Sequence, residues 1–168
     1  NALYHCKPYD YILKDSDIFT IDICFRKDKL LMDGAITLFF NPKYNKITLF
    51  NRELLNNVTK VIKTGDKVSA LLKYFSDSVA TAGYTLFTDG LGHGITDELH
   101  ATPILSFNYF DDYDYVFKEN DIICLEPIII NNGSEIKEVN GVGYSCVGCY
   151  SSCIEVLFFF NKVGHPII

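Results

Sequence analysis

Positive charge is scarce in this chain. Its 168 residues carry 15 lysines and arginines against 21 aspartates and glutamates, a formal net charge of −6. With no basic stripe to meet a run of phosphates, a nucleic-acid partner is not expected. Long apolar runs are also lacking. The longest uninterrupted ones, such as Val156 to Phe160, are far too short to cross a bilayer, so no membrane span is expected. No signal peptide, internal repeat or low-complexity segment stands out. The first residue is Asn and not Met, so a fragment or processed piece, with its targeting information lost, is the expectation. A second well-spaced cysteine pair is missing as well. Cys146-x-x-Cys149 followed by Cys153 hints at a zinc knuckle, but His165 is a distant fourth ligand. The six cysteines (Cys6, Cys24, Cys124, Cys146, Cys149 and Cys153) therefore read as buried free thiols rather than a disulfide framework.

What the chain does have is apolar and aromatic content, 48% and 14%, over a length that gives one domain with a real core. Ile18 to Phe40 reads as two strands, 18–26 and 29–40, around a turn at Lys27-Asp28. Alternation puts Phe19, Ile21, Ile23 and Phe25 on one face and Thr20, Asp22, Cys24 and Arg26 on the other. Pairing Arg26 with Lys29 sets Asp22 directly opposite Asp33, at about 5 Å between Cα atoms. Either a divalent cation with oxygen ligands sits between them, or the register differs and one Asp faces solvent. Further on, Asn51 is expected to cap a helix to about Lys63, with Leu54, Leu55, Val58, Val61 and Ile62 on its apolar face. Asp66 is expected to cap a second helix carrying Val68, Leu71, Leu72, Phe75, Val79 and Ala82, stopped at Gly83. Strands and loops follow, including the aromatic and acidic loop FNYFDDYDY (107–115).

Two later strands, Asp121 to Ile130 and Cys153 to Phe160, each carry one carboxylate in apolar company: Glu126 and Glu155. Such charges cost several kcal/mol to bury unless paired or metal-bound. The alternative is an outward-facing or lysine-paired glutamate on an edge strand. His93, held between Gly92 and Gly94, is either a loop residue or an imidazole brought close to a crowded site. Asp22, Asp33, His93, Glu126 and Glu155 together form an oxygen-rich set with one imidazole, suited to two divalent ions. Cys24, Cys124 and Cys153 each lie two residues from one of these carboxylates. They are either thiols on the same strand faces or small apolar filling.

Asp22 and Asp33 eleven positions apart, GHGITDELHATP with His93 and His100, LEPII, and CIEV at the last strand resemble one known family. This is the dinuclear metallo-aminopeptidase family of pita-bread fold, and the chain looks most like the type I methionine aminopeptidases over Asn1 to Ile168. The resemblance implies an α+β fold, an antiparallel sheet with helices on one face. It also implies one catalytic domain, 1–168, without the family's N-terminal segment. The implied activity is removal of N-terminal methionine from nascent proteins and peptides. The alternatives are an X-Pro aminopeptidase-like peptidase or a non-catalytic peptide- or partner-binding protein. Two divalent ions (Co, Mn, Fe or Zn) are implied: Asp22 on one, Asp33 and Glu155 bridging, His93 and Glu126 on the other. Glu126 would shuttle protons, His100 would stabilise the oxyanion, His5 in HCKP would stand near the scissile amide, and Leu99 would line the substrate pocket. A cytoplasmic location, or an organellar one if the missing N-terminus carries a transit peptide, is a further implication; ribosome association is not shown by the sequence. The chain departs from the family pattern at Cys6, usually Gly, at Leu99, usually aromatic, and at Val156, often His. Cys153 stands where X-Pro enzymes usually have arginine, and the 33 positions from His93 to Glu126 leave no room for the type II helical insertion.

Overall fold

A computed structural model describes residues 2–4, 10–131, 137–139, 142–144, 148–162 and 164–166. His5, Cys6 and Cys146 lie outside them. Strand β1 (Ala2–Tyr4) is followed by the hairpin β2 (Ile18–Lys27) and β3 (Leu30–Phe39). A 3-10 turn at Pro42–Tyr44 leads into α1 (Asn45–Val61), and α2 (Val68–Thr81) follows. The rest is short strands: β4 (Thr85–Leu86), β5 (Gly92–Gly94), β6 (Ala101–Leu105), β7 (Ile122–Leu125), β8 (Ile128–Ile130), β9 (Lys137–Val139), β10 (Val142–Tyr144), β11 (Ser151–Cys153) and β12 (Val156–Phe159). All pairings are antiparallel, in the orders β12-β7-β5-β6, β11-β8-β4, β1-β10-β9 and β2-β3.

Both helices lie on the strands: α1 packs on β8 and β11, and α2 on β4 and β6. Their stripes Leu54, Leu55, Val58 and Leu71, Leu72, Phe75, Val79 bury into one core with Leu91, Leu105, Ile123, Leu125 and Phe158. Among the described residues no helix is long and apolar enough to cross a membrane.

The helices differ from expectation at their starts. Helix α1 begins six residues before Asn51, so the ITLF segment is helical rather than a piece ahead of it. Asn51 is therefore not a cap. It falls on the buried stripe between Ile47 and Leu54 and Leu55, completely buried. Val61, expected inside, is 48% exposed because it sits at the last turn, while Ile62 beyond it is buried. Lys67, not Asp66, precedes α2, with no side-chain cap; the Asp66 carboxylate instead accepts from the Lys63 backbone N–H.

The hairpin register is also corrected. Lys27 pairs with Leu30, so the turn is Asp28-Lys29, with Asp28 at φ 54°. Asp tolerates that left-handed conformation better than most side chains. The slip is two residues, so each side chain keeps its face. Asp22 now lies opposite Ala35, and Cys24 opposite Asp33. The other face, with Ile21, Ile23, Phe25, Ile36 and Leu38, is open to solvent.

Candidate metal centre

The two carboxylate-bearing strands are each interrupted at the carboxylate. Asp121 to Ile130 is not one strand: β7 ends at Leu125, and Glu126-Pro127 separates it from β8. Proline has no N–H for a ladder, which breaks the pairing there. Similarly, Ile154-Glu155 separates β11 from β12. The breaks are held to other elements by polar contacts. Glu126 N–H donates to Leu91 O at 3.0 Å, and Glu155 N–H donates to Ala35 O at 2.9 Å. Asn51 Nδ2 donates to Pro127 O at 3.0 Å and to Ser152 O at 2.9 Å, so one buried amide ties the first break and strand β11, just ahead of the second, to α1. Its Oδ1 has no partner.

The bridge between Ala35 and Glu155 is also one of the contacts that join the hairpin to the core, with Leu31 packed on Ile95 and Cys124 and Arg26 Nη2 donating to Asp97 O. Asp22, Ala35 and Glu155 thus form one cross-strand row, with side chains on one face. The alanine methyl leaves space between the two carboxylates. Thr37 closes the same seam: its Oγ1 accepts from Cys153 N–H at 2.8 Å and donates to Cys153 O at 2.7 Å.

His93 is placed by close backbone approach on both sides. A Cβ on Gly92 would stand 2.1 Å from Cys124 O, and one on Gly94 would stand 2.3 Å from Thr102 O. Only glycines fit there, which answers why the histidine is flanked by them. His93 is buried, and its Nδ1 lies 3.1 Å from Gly94 O. A carbonyl can only accept, so Nδ1 carries the proton and Nε2 presents its lone pair. That lone pair faces Asp33 Oδ2 at 3.8 Å, Glu126 Oε1 at 3.7 Å and Glu155 Oε1 at 4.0 Å. Donor atoms of Asp22, Asp33 and Glu155 lie within 4.8 Å of one another, as do those of Asp33, His93 and His100. The structure therefore brings together all five expected ligands, and His100 with them. The His100 ring meets His93 edge-on, centroids 4.4 Å apart. Leu99 packs nearby against Leu31, Ile95 and Cys124.

The electrostatics are one-sided. Among the described residues no lysine or arginine pairs with these four carboxylates. Burial, then the Glu155 charge, pushes Glu126 up to about 8. Burial pushes Glu155 up to about 7, although the Cys124 hydrogen bond favours its charged form. Asp33 is raised by burial and by Asp22. His93 is lowered by burial, which keeps the imidazole neutral. Carboxylate oxygens of Asp33, Glu126 and Glu155 around the lone pair of a neutral imidazole, with Asp22 beside Asp33 and Glu155, attract a divalent cation, and the donor set fits one.

The sequence left Cys24, Cys124 and Cys153 open between thiols facing the site and small apolar filling, and Asn51 read only as a cap. Cys124 Sγ donates to Glu155 Oε1 at 3.0 Å, and Cys153 Sγ lies 3.6 Å from Glu126 O. Cys24, Cys124 and Cys153 are free thiols, but Cys149 is disulfide-bonded, against the expectation of free thiols throughout. For Asn51 the signal was its place on an apolar helical stripe, where an amide needs a partner.

A model of metallopeptidase family M24 matches residues 1–154. Among curated proteins, the methionine aminopeptidase of Thermococcus onnurineus is 29% identical over 139 residues, 80% of this chain and 47% of that protein. Among solved structures, the methionine aminopeptidase of Rickettsia prowazekii superposes with a TM-score of 0.86 at 20% identity, over 99% of this chain and 69% of that one. The X-Pro aminopeptidase of Thermotoga maritima superposes with a TM-score of 0.69 at 19% identity, over 90% of this chain and 39% of that one. The fold is thus the α+β pita-bread fold, as expected. The chain spans about half the length of the curated relatives it matches.

Proposed function

The chain belongs to metallopeptidase family M24, and from that premise we propose that it is a metal-dependent aminopeptidase that removes N-terminal methionine from peptides and nascent proteins. One observation carries the metal part of this reading: Asp33, Glu126 and Glu155 oxygens stand 3.7–4.0 Å from the Nε2 lone pair of a neutral, buried His93. Asp22, Asp33, His93, Glu126 and Glu155 would hold two divalent ions of Co, Mn, Fe or Zn. Bound there, such ions supply a nucleophilic water at neutral pH and a polarised carbonyl.

The chain's own groups carry the rest. Glu126, partly exposed beside His93, takes the proton from the attacking water and delivers it to the leaving amine. His100, exposed beside His93, donates to the oxygen of the scissile carbonyl as charge develops on it. Leu99 offers apolar surface to the methionine side chain. His5 is assigned to the neighbourhood of the scissile amide on the motif alone. The type I reading is favoured because the connection from His93 to Glu126 contains β6 and an aromatic loop and no helix.

The test is release of methionine from a Met-Ala-Ser peptide with each added metal, alongside an X-Pro peptide. Turnover lost on chelation, and reduced about 10²–10⁴-fold in Glu126→Gln, is expected. Stoichiometric peptide binding with no turnover under any divalent metal overturns the proposal, and cleavage of the X-Pro peptide alone reassigns the specificity.

A further inference from the structure

One buried nucleophilic group in the site has no part in this mechanism. Cys124 is completely buried and lies directly opposite His93 in the β5–β7 pairing, so the two side chains share a face of the sheet. Its sulfur reaches Glu155 Oε1 at 3.0 Å, the same oxygen that stands 4.0 Å from His93 Nε2. Nitrogen, sulfur and carboxylate oxygen of His93, Cys124 and Glu155 lie within 4.8 Å of one another, and all three residues are buried. The His93 lone pair, without a hydrogen-bond partner at its 3.7–4.0 Å separations, points into this same space.

We propose that Cys124 is itself a metal ligand of this centre, its sulfur joining His93 Nε2 and Glu155 to hold a thiophilic or borderline divalent cation such as Zn²⁺, Co²⁺ or Cd²⁺. This deepens the functional reading above and rests on its metal centre. The thiol hydrogen now points at a carboxylate oxygen, the place a cation would take between sulfur and oxygen. On binding, the Sγ–H bond breaks, the proton passes to solvent, and the electron pair left on sulfur forms the bond to the cation. Nothing is oxidised or reduced. Without a cation, burial and the neighbouring Glu155 charge keep the thiol protonated. A sulfur donor among carboxylates shifts the centre's preference from hard ions toward soft ones. Such ions would occupy the site in an arrangement different from the one the carboxylates give Mn²⁺.

The experiment is titration of the metal-free protein with Cd²⁺, read by the near-ultraviolet thiolate-to-metal charge-transfer band, with Mn²⁺ binding measured in parallel by calorimetry. Wild type and a Cys24→Ser/Cys153→Ser double variant should show the band. Cys124→Ser should lose it, with Cd²⁺ affinity down about tenfold or more and Mn²⁺ affinity nearly unchanged. If Cys124→Ser does not fold, X-ray absorption at the cadmium edge of the double variant answers the question, since sulfur in the first shell supports the assignment and its absence overturns it. Cd²⁺ binding with no band in wild type, or a band that survives Cys124→Ser, also overturns it. Mn²⁺ binding without any cadmium–sulfur signal sinks this inference alone, whereas failure to bind either ion sinks the metal-centre reading with it.

Discussion

Replacing Gly94 by alanine tests the backbone geometry that holds His93. The added Cβ would stand 2.3 Å from Thr102 O and 2.8 Å from the Thr102 carbonyl carbon. An acceptable C···O contact is about 3.3 Å, so β5 and β6 must part by about 1 Å. Both colliding groups are backbone in paired strands and neither can rotate away. The cost belongs at the upper end of the overpacking range, about 3 kcal/mol. For a domain of this size each kcal/mol lowers the melting temperature by about 2–4 °C, so a drop of about 6–12 °C is expected. Because Gly94 O is also the acceptor for His93 Nδ1, the ring should turn and metal affinity fall about 10–100-fold. Gly34→Ala provides the comparison, since its Cβ would lie at an ordinary 3.6 Å from Glu155 O and should be tolerated within about 1 kcal/mol. Differential scanning calorimetry and metal titration read both quantities. A Gly94→Ala protein that melts within 2 °C of wild type, a margin of about 1 kcal/mol, and binds metal as tightly would refute this account of the glycine pair.

Other substitutions and conditions give equally definite outcomes. Asn51→Leu orphans the Pro127 and Ser152 carbonyls at about 1–3 kcal/mol each, partly offset by removing the unpartnered Oδ1. Urea unfolding should show a net loss of about 2–4 kcal/mol, and metal affinity should weaken in parallel. Unchanged metal affinity would confine Asn51 to the fold. In the metal-free protein, Glu126 and Glu155 hold protons up to about 8 and about 7, which the unfolded chain releases near the ordinary glutamate value of 4.5. Their contribution is fully present below about 4.5 and is lost as pH rises through 7 to 8, so chelated protein should be less stable at pH 8.5 than at pH 6. Glu126→Gln should flatten that slope, and a slope unaffected by the variant would contradict the burial assigned to this carboxylate. Chelation should also raise amide exchange in Ile18–Phe39 more than in the β7–β12 ladder, because the hairpin joins the core through one isolated bridge, Thr37, Leu31 and Arg26 rather than through a continuous ladder. Uniform acceleration across both would argue against the hairpin as a separable unit.

The helices were readable from local pattern, because apolar stripes such as Leu71, Leu72, Phe75 and Val79 follow directly from helical periodicity. The carboxylates were readable for a different reason: Glu126 and Glu155 are costly inside apolar strands, and the cost flags them. Pro127 signals the break inside DIICLEPIII, since it has no N–H for a ladder. The break at Glu155 was not readable, because CIEVLFFF carries no such breaker and only the tertiary bond from Glu155 N–H to Ala35 O marks it. The hairpin turn was misplaced because KDK offers two adjacent two-residue turns, and the left-handed conformation of Asp28 selects one of them. The error preserved the faces, so Asp22 and Asp33 still converge, diagonally rather than directly. Asn51 was misread because a helix-capping residue and a buried bracing residue have the same composition, and only the missing turn upstream separates them.

The docking of the hairpin through the Ala35–Glu155 bridge, Thr37, Leu31 and Arg26 has a thermodynamic consequence. Two of the carboxylates, Asp22 and Asp33, ride on β2 and β3, while His93, Glu126 and Glu155 ride on the core. If these five residues hold metal as proposed, only the docked hairpin completes the set, and the observed metal dissociation constant would be the intrinsic one divided by the docked fraction. The open apolar side, Ile21, Ile23, Phe25, Ile36 and Leu38, lies on the far face of that same hairpin. Whatever rests on this outer face and holds the hairpin down tightens metal binding without touching a ligand, and by reciprocity each bound ion strengthens that contact by the same factor.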